Sequence, residues 1–238
     1  MTDMKEKINS IKDGSDDMSQ LSRRHTRGNI RSFKAVVAYI KADLHRYSDT
    51  RFKFVRHFLF TPGFKYTVLM RLTGWASTSL VLKYNLAIVL KILLSRCRYK
   101  YGIAIPEYTE IGPGLFINRF GGIYINGDAV IGPNCNIAQM TIIGQVNRGE
   151  KAGSPTLGAG CSVAAGACIV GNIKIGDYSI IGNNAVVTNN MPVNAVIGGV
   201  PARQISSRGS TGYVNRMVSE AAVERCRLLA EAAWKKRG

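Results

Sequence analysis

The chain has 238 residues and 46% of them are hydrophobic, which is enough to bury one sizeable core and excludes a wholly disordered protein. It carries 32 Lys and Arg against 15 Asp and Glu, a formal net charge of +17. This excess disfavours basic partners and favours acidic ones, namely nucleic acid, an anionic membrane surface or a polyphosphate ligand. The five cysteines include no CxxC pair and no metal-ligand spacing, so we expect no disulfide framework, no metal and a reducing cytoplasm.

The first part of the chain is predicted to be a polar tail followed by helices. Residues 1–31 have no apolar run long enough for a secretory signal and predict a disordered basic tail. Apolar residues at three- and four-residue steps predict an amphipathic helix over about 32–47. A second helix is predicted from about Phe64, after a turn at Thr61-Pro62-Gly63. We therefore interpret residues 32–101 as an α-helical region.

Residues 79–100 are more apolar than the preceding helices. Lys83, Asn85 and Lys91 interrupt the run before it reaches the roughly 18 to 20 apolar residues that a spanning helix needs, so we expect no transmembrane segment. On a helical wheel Lys83, Lys91 and Arg98 share the face opposite the leucines. Such a segment either packs its apolar face on a neighbouring helix or subunit, or lies at the inner face of the membrane as a peripheral contact.

After Gly102 the hydrophobic period changes to six residues. A six-residue unit fits one short strand plus a tight corner, and three units close a triangular coil whose aliphatic residues stack inward. About four to five coils are expected over residues 102–205. The predicted inward positions are Ile105, Ile111, Ile117, Ile125, Ile131, Ile137, Ile143, Leu157, Val163, Ile169, Ile175, Ile181, Val187 and Val193.

Two segments fall outside this period. Residues 145–155 are polar and Gly-containing, and we expect them to protrude as a loop that is suited to binding. Residues 206–238 are interpreted as a linker and a C-terminal helix over Tyr213–Lys236, because that stretch is rich in strong helix formers.

The repeats, the loop and the phrase Asn194–Arg203 resemble the left-handed β-helix acyltransferases, in particular the serine O-acetyltransferase branch and its relatives that O-acetylate bacterial capsule, exopolysaccharide or lipopolysaccharide sugars. The resemblance implies a mainly β fold, a left-handed parallel β-helix of hexapeptide repeats with an N-terminal α-helical region and a C-terminal helix. The other phrases that carry it are Ala42-Asp-Leu-His-Arg-Tyr47, Pro62-Gly-Phe64, Tyr99-Lys-Tyr-Gly-Ile-Ala-Ile-Pro106, Gly153-Ser-Pro-Thr-Leu-Gly158 and Val170-Gly-Asn-Ile-Lys-Ile-Gly176.

The resemblance also implies a homotrimer that binds acetyl-CoA in the groove between adjacent prisms. Small residues let the thin pantetheine arm approach backbone amides, and arginine can meet the phosphates. The candidate CoA-binding residues are Gly144, Ala164, Ala165, Gly166, Asn183 and Arg203.

The position of the catalytic base differs from that of the family. Relatives carry a histidine in a phrase like Gly-His-Phe-Gly-Gly, and the corresponding phrase here is Phe116-Ile-Asn-Arg-Phe-Gly-Gly122, so Arg119 takes its place. Arginine stays protonated and cannot act as that base. Gln139 stands where some relatives carry a second histidine, and the three histidines of this chain all precede the β-helix.

Three interpretations remain open. The chain is an active O-acetyltransferase in which Asn118, Arg119 and Asn126 orient the reactants and Arg119 polarises the carbonyl. Alternatively it is a catalytically degenerate binding or partner subunit, or a variant altered at the site. Substrate contacts are expected from Gln139 and from the loop residues Asn147 and Arg148.

The acceptor predicted from the sequence is a hydroxyl of a surface-polysaccharide sugar or its precursor. Serine is the second alternative, because the histidine and acidic residues with which serine enzymes close their cysteine-sensing site are absent here. The phrases of specific nucleic-acid readers are also absent, so we expect only nonspecific binding to nucleic acid.

Overall fold

A computed structural model describes residue 28 and residues 30–48, 53–78 and 85–235. The predicted tail lies almost wholly outside these residues, as do residues 79–84. Five helices are described: α1 (Phe33–His45), α2 (Lys53–Phe60), α3 (Pro62–Thr78), α4 (Leu86–Tyr101) and α5 (Glu220–Lys235). Within the described residues, no helix combines the length and the hydropathy needed to cross a bilayer.

The strands form three narrow sheets that are the three sides of a prism. Sheet A contains β1 (Ile103–Ala104), β4 (Ile123–Ile125), β7 (Ile142–Gly144), β10 (Cys168–Val170) and β13 (Val186–Val187). Sheet B contains β2 (Glu110–Ile111), β5 (Val130–Ile131), β8 (Thr156–Leu157) and β11 (Lys174–Ile175). Sheet C contains β3 (Phe116–Ile117), β6 (Asn136–Ile137), β9 (Ser162–Val163), β12 (Ile180–Ile181), β14 (Val196–Gly199) and β15 (Ala202–Ser206).

Strand register confirms the parallel β-helix predicted from the six-residue period. From β1 to β14 the strands pair in parallel with those of the neighbouring coil, as in Ile111 with Ile131 and Ile131 with Leu157. The predicted inward positions are buried except for Val193. There the prediction was wrong: Met191 is buried and bridges to Ile175, because the chain reaches this coil after four residues rather than six.

The first coil has no preceding coil, so one edge of each of its strands lacks a backbone partner. Two tyrosines of the helical region supply the missing hydrogen bonds. Tyr66 Oη donates to the Ile105 carbonyl at 2.8 Å and accepts from its N–H at 3.0 Å. Tyr47 Oη makes the same pair of contacts with Ile117, at 3.3 and 3.0 Å. Each phenol thus makes the two backbone hydrogen bonds that a residue of a neighbouring strand would make.

A buried ion pair covers the remaining edge of the first coil. Asp43 and Arg71 meet at 2.6 Å, both almost fully buried. The Asp43 carboxylate accepts from the N–H groups of Gly114 and Leu115, both at 2.9 Å. Arg71 donates to the carbonyls of Ile111 and Gly112 at 3.2 and 2.9 Å. Because both charges also bond backbone groups, the pair links α1 and α3 to sheets B and C.

The C-terminal segment runs back along the prism from the last coil to the first. β14 and β15 form an antiparallel hairpin that closes sheet C. Ser210 Oγ then donates to the Gly160 carbonyl at 2.6 Å, and the Asn134 side chain bonds both the N–H and the carbonyl of Val218. The chain finally enters α5, which packs on α1.

Helix boundaries differ from the sequence-based ones at three places. Helix α2 was not predicted, and Pro62 opens α3 as its first residue instead of forming a turn, a position that proline tolerates because the first N–H has no helical partner. The C-terminal helix begins at Glu220 rather than Tyr213. Residues before it are held by the prism, and Ser219 caps the helix through Ala222 N–H.

We expect Tyr66→Phe to lower the free energy of unfolding by about 1–3 kcal/mol, because it leaves two buried backbone groups of Ile105 without partners. Urea unfolding followed by circular dichroism measures this. Tyr99→Phe is the matched control, since Tyr99 is 84% exposed on α4 and its replacement should change stability by less than about 0.5 kcal/mol. Equal effects of the two substitutions would show that the phenol does not cap the coil.

Burial raises the pKa of both Tyr47 and Tyr66 above that of a free phenol. A raised pKa in the folded state means that this contribution to stability is fully present below the unfolded value, about pH 10, and is lost as the pH rises further. We therefore expect the unfolding free energy to fall above about pH 10. The loss should be smaller in Tyr47→Phe; an identical loss in that variant would contradict the assignment.

Candidate functional site

The turn from sheet C to sheet A, here called the C–A corner, gathers most of the predicted site residues. Successive coils stack there through backbone bonds such as Asn118 N–H to Ile137 O and Gly166 N–H to Gln139 O. The residues that it brings together, from the first coil to the fourth, are Asn118, Arg119, Gln139, Ala164, Ala165, Gly166 and Asn183.

Arg119 lies on the most protruding part of this corner, in the first coil, where the turn is longer than in the coils above. Its side chain is exposed, like those of Asn118 and Phe120. Phe120 packs edge-on against Tyr101 of α4, with ring centroids 5.8 Å apart. Gly122 follows with φ +67°, and a Cβ on it would lie 2.4 Å from Met140 Sδ, so the turn requires glycine. The guanidinium is therefore presented to solvent by a tightly constrained turn.

Above Arg119 the C–A corner carries Gln139 in the second coil and small residues in the third, and it ends at a second arginine. Ala164, Ala165 and Gly166 leave the backbone of the third coil accessible to a thin ligand. Gly166 has φ +75°, and a Cβ there would meet the Asn184 side chain at 2.0 Å. Arg203 pairs with Gly198, which stands in the same column one coil above Gly182. From β3, which precedes Arg119, to β15, which carries Arg203, there are five strand spacings. At about 4.8 Å each they place the two arginines on the order of 24 Å apart along the corner.

The other predicted residues lie at the opposite end of sheet A, at what we call the A–B corner. Asn126 Oδ1 accepts from Ser154 Oγ at 3.0 Å, and its Nδ2 donates to Gln145 Oε1 at 3.4 Å. Gln145 Nε2 in turn donates to Asn147 Oδ1 at 2.8 Å. Gly144, the last residue of β7, lies at this end too.

The protruding loop of residues 145–155 is tied down at this A–B corner. Val146 and Gly153 form an antiparallel bridge across it, and Lys151 Nζ donates to the Thr188 carbonyl at 2.8 Å. A cavity of about 350 Å³ lies beneath it, lined by polar groups that include Asp128, Ser154 and Asn172. Arg148 is exposed at the tip. The loop is therefore a fixed, hydrogen-bonded flap rather than an open bulge.

The two corners are separate sites. Asn126 is four residues beyond Gly122 along β4, about 13 Å in extended chain. Asn126 therefore does not meet the reacting group that Arg119 would contact in the same subunit. Between the corners the outward face of sheet A carries Tyr124 and Ile142, which line a shallow cavity of about 400 Å³.

No histidine of the described residues lies in either corner. His57, on α2, has its Nδ1 2.9 Å from Thr61 Oγ1, and burial together with the charge of Arg56 lowers its pKa. Its ring packs on Tyr47, which itself bonds Ile117, so an aromatic ring separates it from the C–A corner. His45 lies on α1 and lines a cavity of about 660 Å³ between α1 and α5.

Sequence reasoning missed the outward stripe of sheet A. Ala104, Tyr124, Ile142, Cys168 and Val186 are in register across five strands, each on the face away from the core. The signal was available, because outward positions of a solvated face are expected to be polar and these are not. The six-residue period drew attention only to the inward positions.

Comparison with known proteins identifies the repeat. Residues 154–189 match the family model described as bacterial transferase hexapeptide (six repeats). A serine acetyltransferase of Synechococcus elongatus is 30% identical over 148 residues, 62% of this chain and 59% of that protein. A serine acetyltransferase of Haemophilus influenzae is 34% identical over 106 residues, 44% of this chain and 40% of that protein. The chain thus spans less than two thirds of these relatives.

Solved structures give the same result. The serine acetyltransferase of Brucella abortus strain S19 in complex with coenzyme A superposes with a TM-score of 0.60 at 27% identity, covering 74% of this chain and 68% of that one. A serine acetyltransferase in complex with cysteine gives a TM-score of 0.59 at 28% identity, covering 73% and 69%. The chain therefore carries the hexapeptide repeat of bacterial transferases and is homologous to serine acetyltransferases.

These matches correct one prediction from the sequence. A surface-polysaccharide sugar was the expected acceptor, with serine as the second alternative. The relatives and the superposed structures are serine acetyltransferases, so the prediction of a sugar acceptor is wrong. The error came from treating the missing histidine and acidic residues as evidence about the acceptor, when loop side chains change more readily than the scaffold that holds them.

Proposed function

We propose, from its homology to serine acetyltransferases, that this chain is an acetyl-CoA-dependent O-acetyltransferase whose acceptor is the hydroxyl of serine. The observation that carries the proposal is the C–A corner, which has Arg119 at one end, the small residues Ala164, Ala165 and Gly166 in its middle, and Arg203 at the other end. The corner suits the pantetheine arm of CoA, and Arg203 suits its phosphates.

The reaction needs the serine oxygen to attack the thioester carbonyl carbon. A C–O bond forms and the C–S bond breaks, so that CoA leaves as the thiolate. The hydroxyl proton passes to solvent, and the thiolate takes up a proton from solvent to give the thiol. Arg119 donates N–H hydrogen bonds to the carbonyl oxygen as negative charge develops on it, and it takes up no proton. Holding the two reactants together supplies the rest of the acceleration.

Position 119 holds an arginine where the related enzymes have a histidine. This favours a second candidate function, a subunit that binds CoA without turnover. A general base contributes about 10²- to 10⁴-fold to such reactions, and an arginine cannot supply that factor. The β-helix contains no histidine at all. Under this alternative the protein still binds CoA at the C–A corner but does not transfer the acetyl group.

We also infer that CoA lies between two prisms of a homotrimer. A single prism offers only a protruding corner, which buries too little of a long ligand on its own. The outward apolar stripe on sheet A gives a neighbouring copy a surface to cover. Ile142 is 43% and Tyr124 56% exposed in the single chain.

We expect purified protein to release CoA from acetyl-CoA when L-serine is added, as followed with a thiol reagent. Arg119→Ala should lower kcat by about 10²-fold, because it removes a charged donor to the developing oxyanion. Arg208→Ala is the control, since Arg208 is also exposed but lies beyond β15, and it should keep the wild-type rate.

Titration with CoA in a calorimeter separates the two candidate functions. Binding without release, together with serine-dependent release by Arg119→His, would reject the active enzyme and support the binding subunit. Release by the wild type that Arg119→Ala abolishes would reject the binding subunit. Failure to bind CoA would contradict both.

Ile142→Asp should dissociate the trimer at micromolar concentration, because it puts a charge into the centre of the apolar stripe. Sedimentation velocity measures the change in mass. Ile180→Asp, on the outward face of sheet C, is the matched control and should stay trimeric. A monomeric wild type, or dissociation of both variants alike, would contradict the placement of the interface on sheet A.

A further inference from the structure

Two helices of the N-terminal region present large apolar side chains to solvent. On α2, Phe54, Val55, Leu59 and Phe60 are 43–79% exposed. On α4, Leu86, Ile88, Val89, Ile92 and Leu93 are 37–55% exposed. We call these nine side chains the apolar face. An exposed patch of this kind marks an interaction surface.

The apolar face is additional to the surface that packs these helices onto the protein. On α4 the buried side chains are Ala87, Leu90 and Leu94, which join the main core. The exposed ones recur at steps of three and four residues, as in Ile88 with Ile92 and Val89 with Leu93, so they lie together on the outward side. The helix is therefore apolar on both sides over its first two turns.

Helices α2 and α4 share α3 as a neighbour. Both pack on α3. Lys65 of α3 donates to the Leu59 carbonyl at 3.3 Å and lies 5.8 Å from the centre of the Phe58 ring. The same ammonium acts on Cys97 of α4, where its charge opposes the rise in thiol pKa caused by burial. Lys65 therefore contacts the end of α2, and its charge also reaches Cys97 in the second half of α4.

The charged side chains on α2 and α4 are all basic. From residue 51 to residue 106 the sequence has ten Lys or Arg and no Asp or Glu. Arg96 and Lys100 are exposed on α4, and Arg56 is exposed on α2. The next acid, Glu107, pairs with Lys91 at 3.5 Å, where α4 meets the β-helix.

We propose that the apolar face is a docking surface for an anionic lipid bilayer, with α2 and α4 lying in the interface and their cations at the level of the headgroups. An anionic bilayer binds both kinds of side chain. The apolar ones enter the boundary between headgroups and acyl chains, and the flanking Lys and Arg contact the charged headgroups. Binding to nucleic acid would explain the cations but would not explain the nine exposed apolar side chains. A second copy of this face would bring like charges together, which disfavours self-association through it.

The test uses the full chain and sedimentable vesicles of phosphatidylcholine alone or of phosphatidylcholine with phosphatidylglycerol. We expect the partition coefficient to be at least about tenfold higher on the anionic vesicles, and to fall as salt is raised. The readout is independent of acetyl transfer, so its failure and the failure of the proposed function are distinguishable. Equal partition onto both kinds of vesicle, or none, overturns the proposal.

Two pairs of variants separate the apolar and the charged contributions. I88S/I92S should reduce binding to anionic vesicles at least about tenfold, whereas V200S/I205S, with side chains 70–71% exposed at the far end of the prism, should not. R96Q/K100Q should reduce binding to anionic vesicles more than the control K174Q/R208Q does. Lys174 lies on the β-helix and Arg208 lies beyond it, and both are exposed. All eight side chains are exposed, so the fold should survive, and circular dichroism checks this.

Sedimentation velocity of the same variants gives the remaining outcome. If I88S/I92S leaves vesicle binding unchanged but lowers the oligomeric mass, the occupant of the apolar face is another copy of this chain and the bilayer proposal is overturned. Unchanged mass with lost vesicle binding supports the bilayer.

Discussion

The open edge of the first coil is the constraint on which the structure depends. Every later coil satisfies its backbone by pairing with the coil before it, whereas the first coil has no such neighbour. Tyr47, Tyr66 and the Asp43–Arg71 pair provide that neighbour in the form of side chains. The helical region is therefore a cap without which the repeat exposes strand edges that invite aggregation.

The cap also fixes where the candidate site lies. Tyr47 bonds Ile117, and Asn118 and Arg119 follow directly along the chain. The same helices carry Phe120's partner, Tyr101, so the protruding turn is held from two sides. The position of the turn that carries Arg119 is therefore set by contacts with Tyr47, just after α1, and with α4, and the turns stacked above it are set by the repeat.

The apolar face and the C–A corner use the same helices in different ways. Helix α4 buries Leu90 and Leu94 against the core, extends Tyr101 towards Phe120, and presents Ile88 and Ile92 outward. A bilayer bound to that outward side would lie near the beginning of the prism, where the first coil carries Arg119. The proposed acetyl transfer and the proposed membrane docking therefore use different surfaces of the cap and the prism.

The sequence by itself determined the β-helix. Ile, Val and Gly recur in it with a six-residue period, and each coil buries its aliphatic side chains simply by stacking on the neighbouring coils. It also placed Arg119 at the position where the related enzymes carry a histidine. Only the tertiary structure decided that Asn126 belongs to another corner, that Met191 replaces Val193 inward, and that Tyr66 caps a strand. These depend on contacts between residues tens of positions apart, whose geometry no local pattern contains.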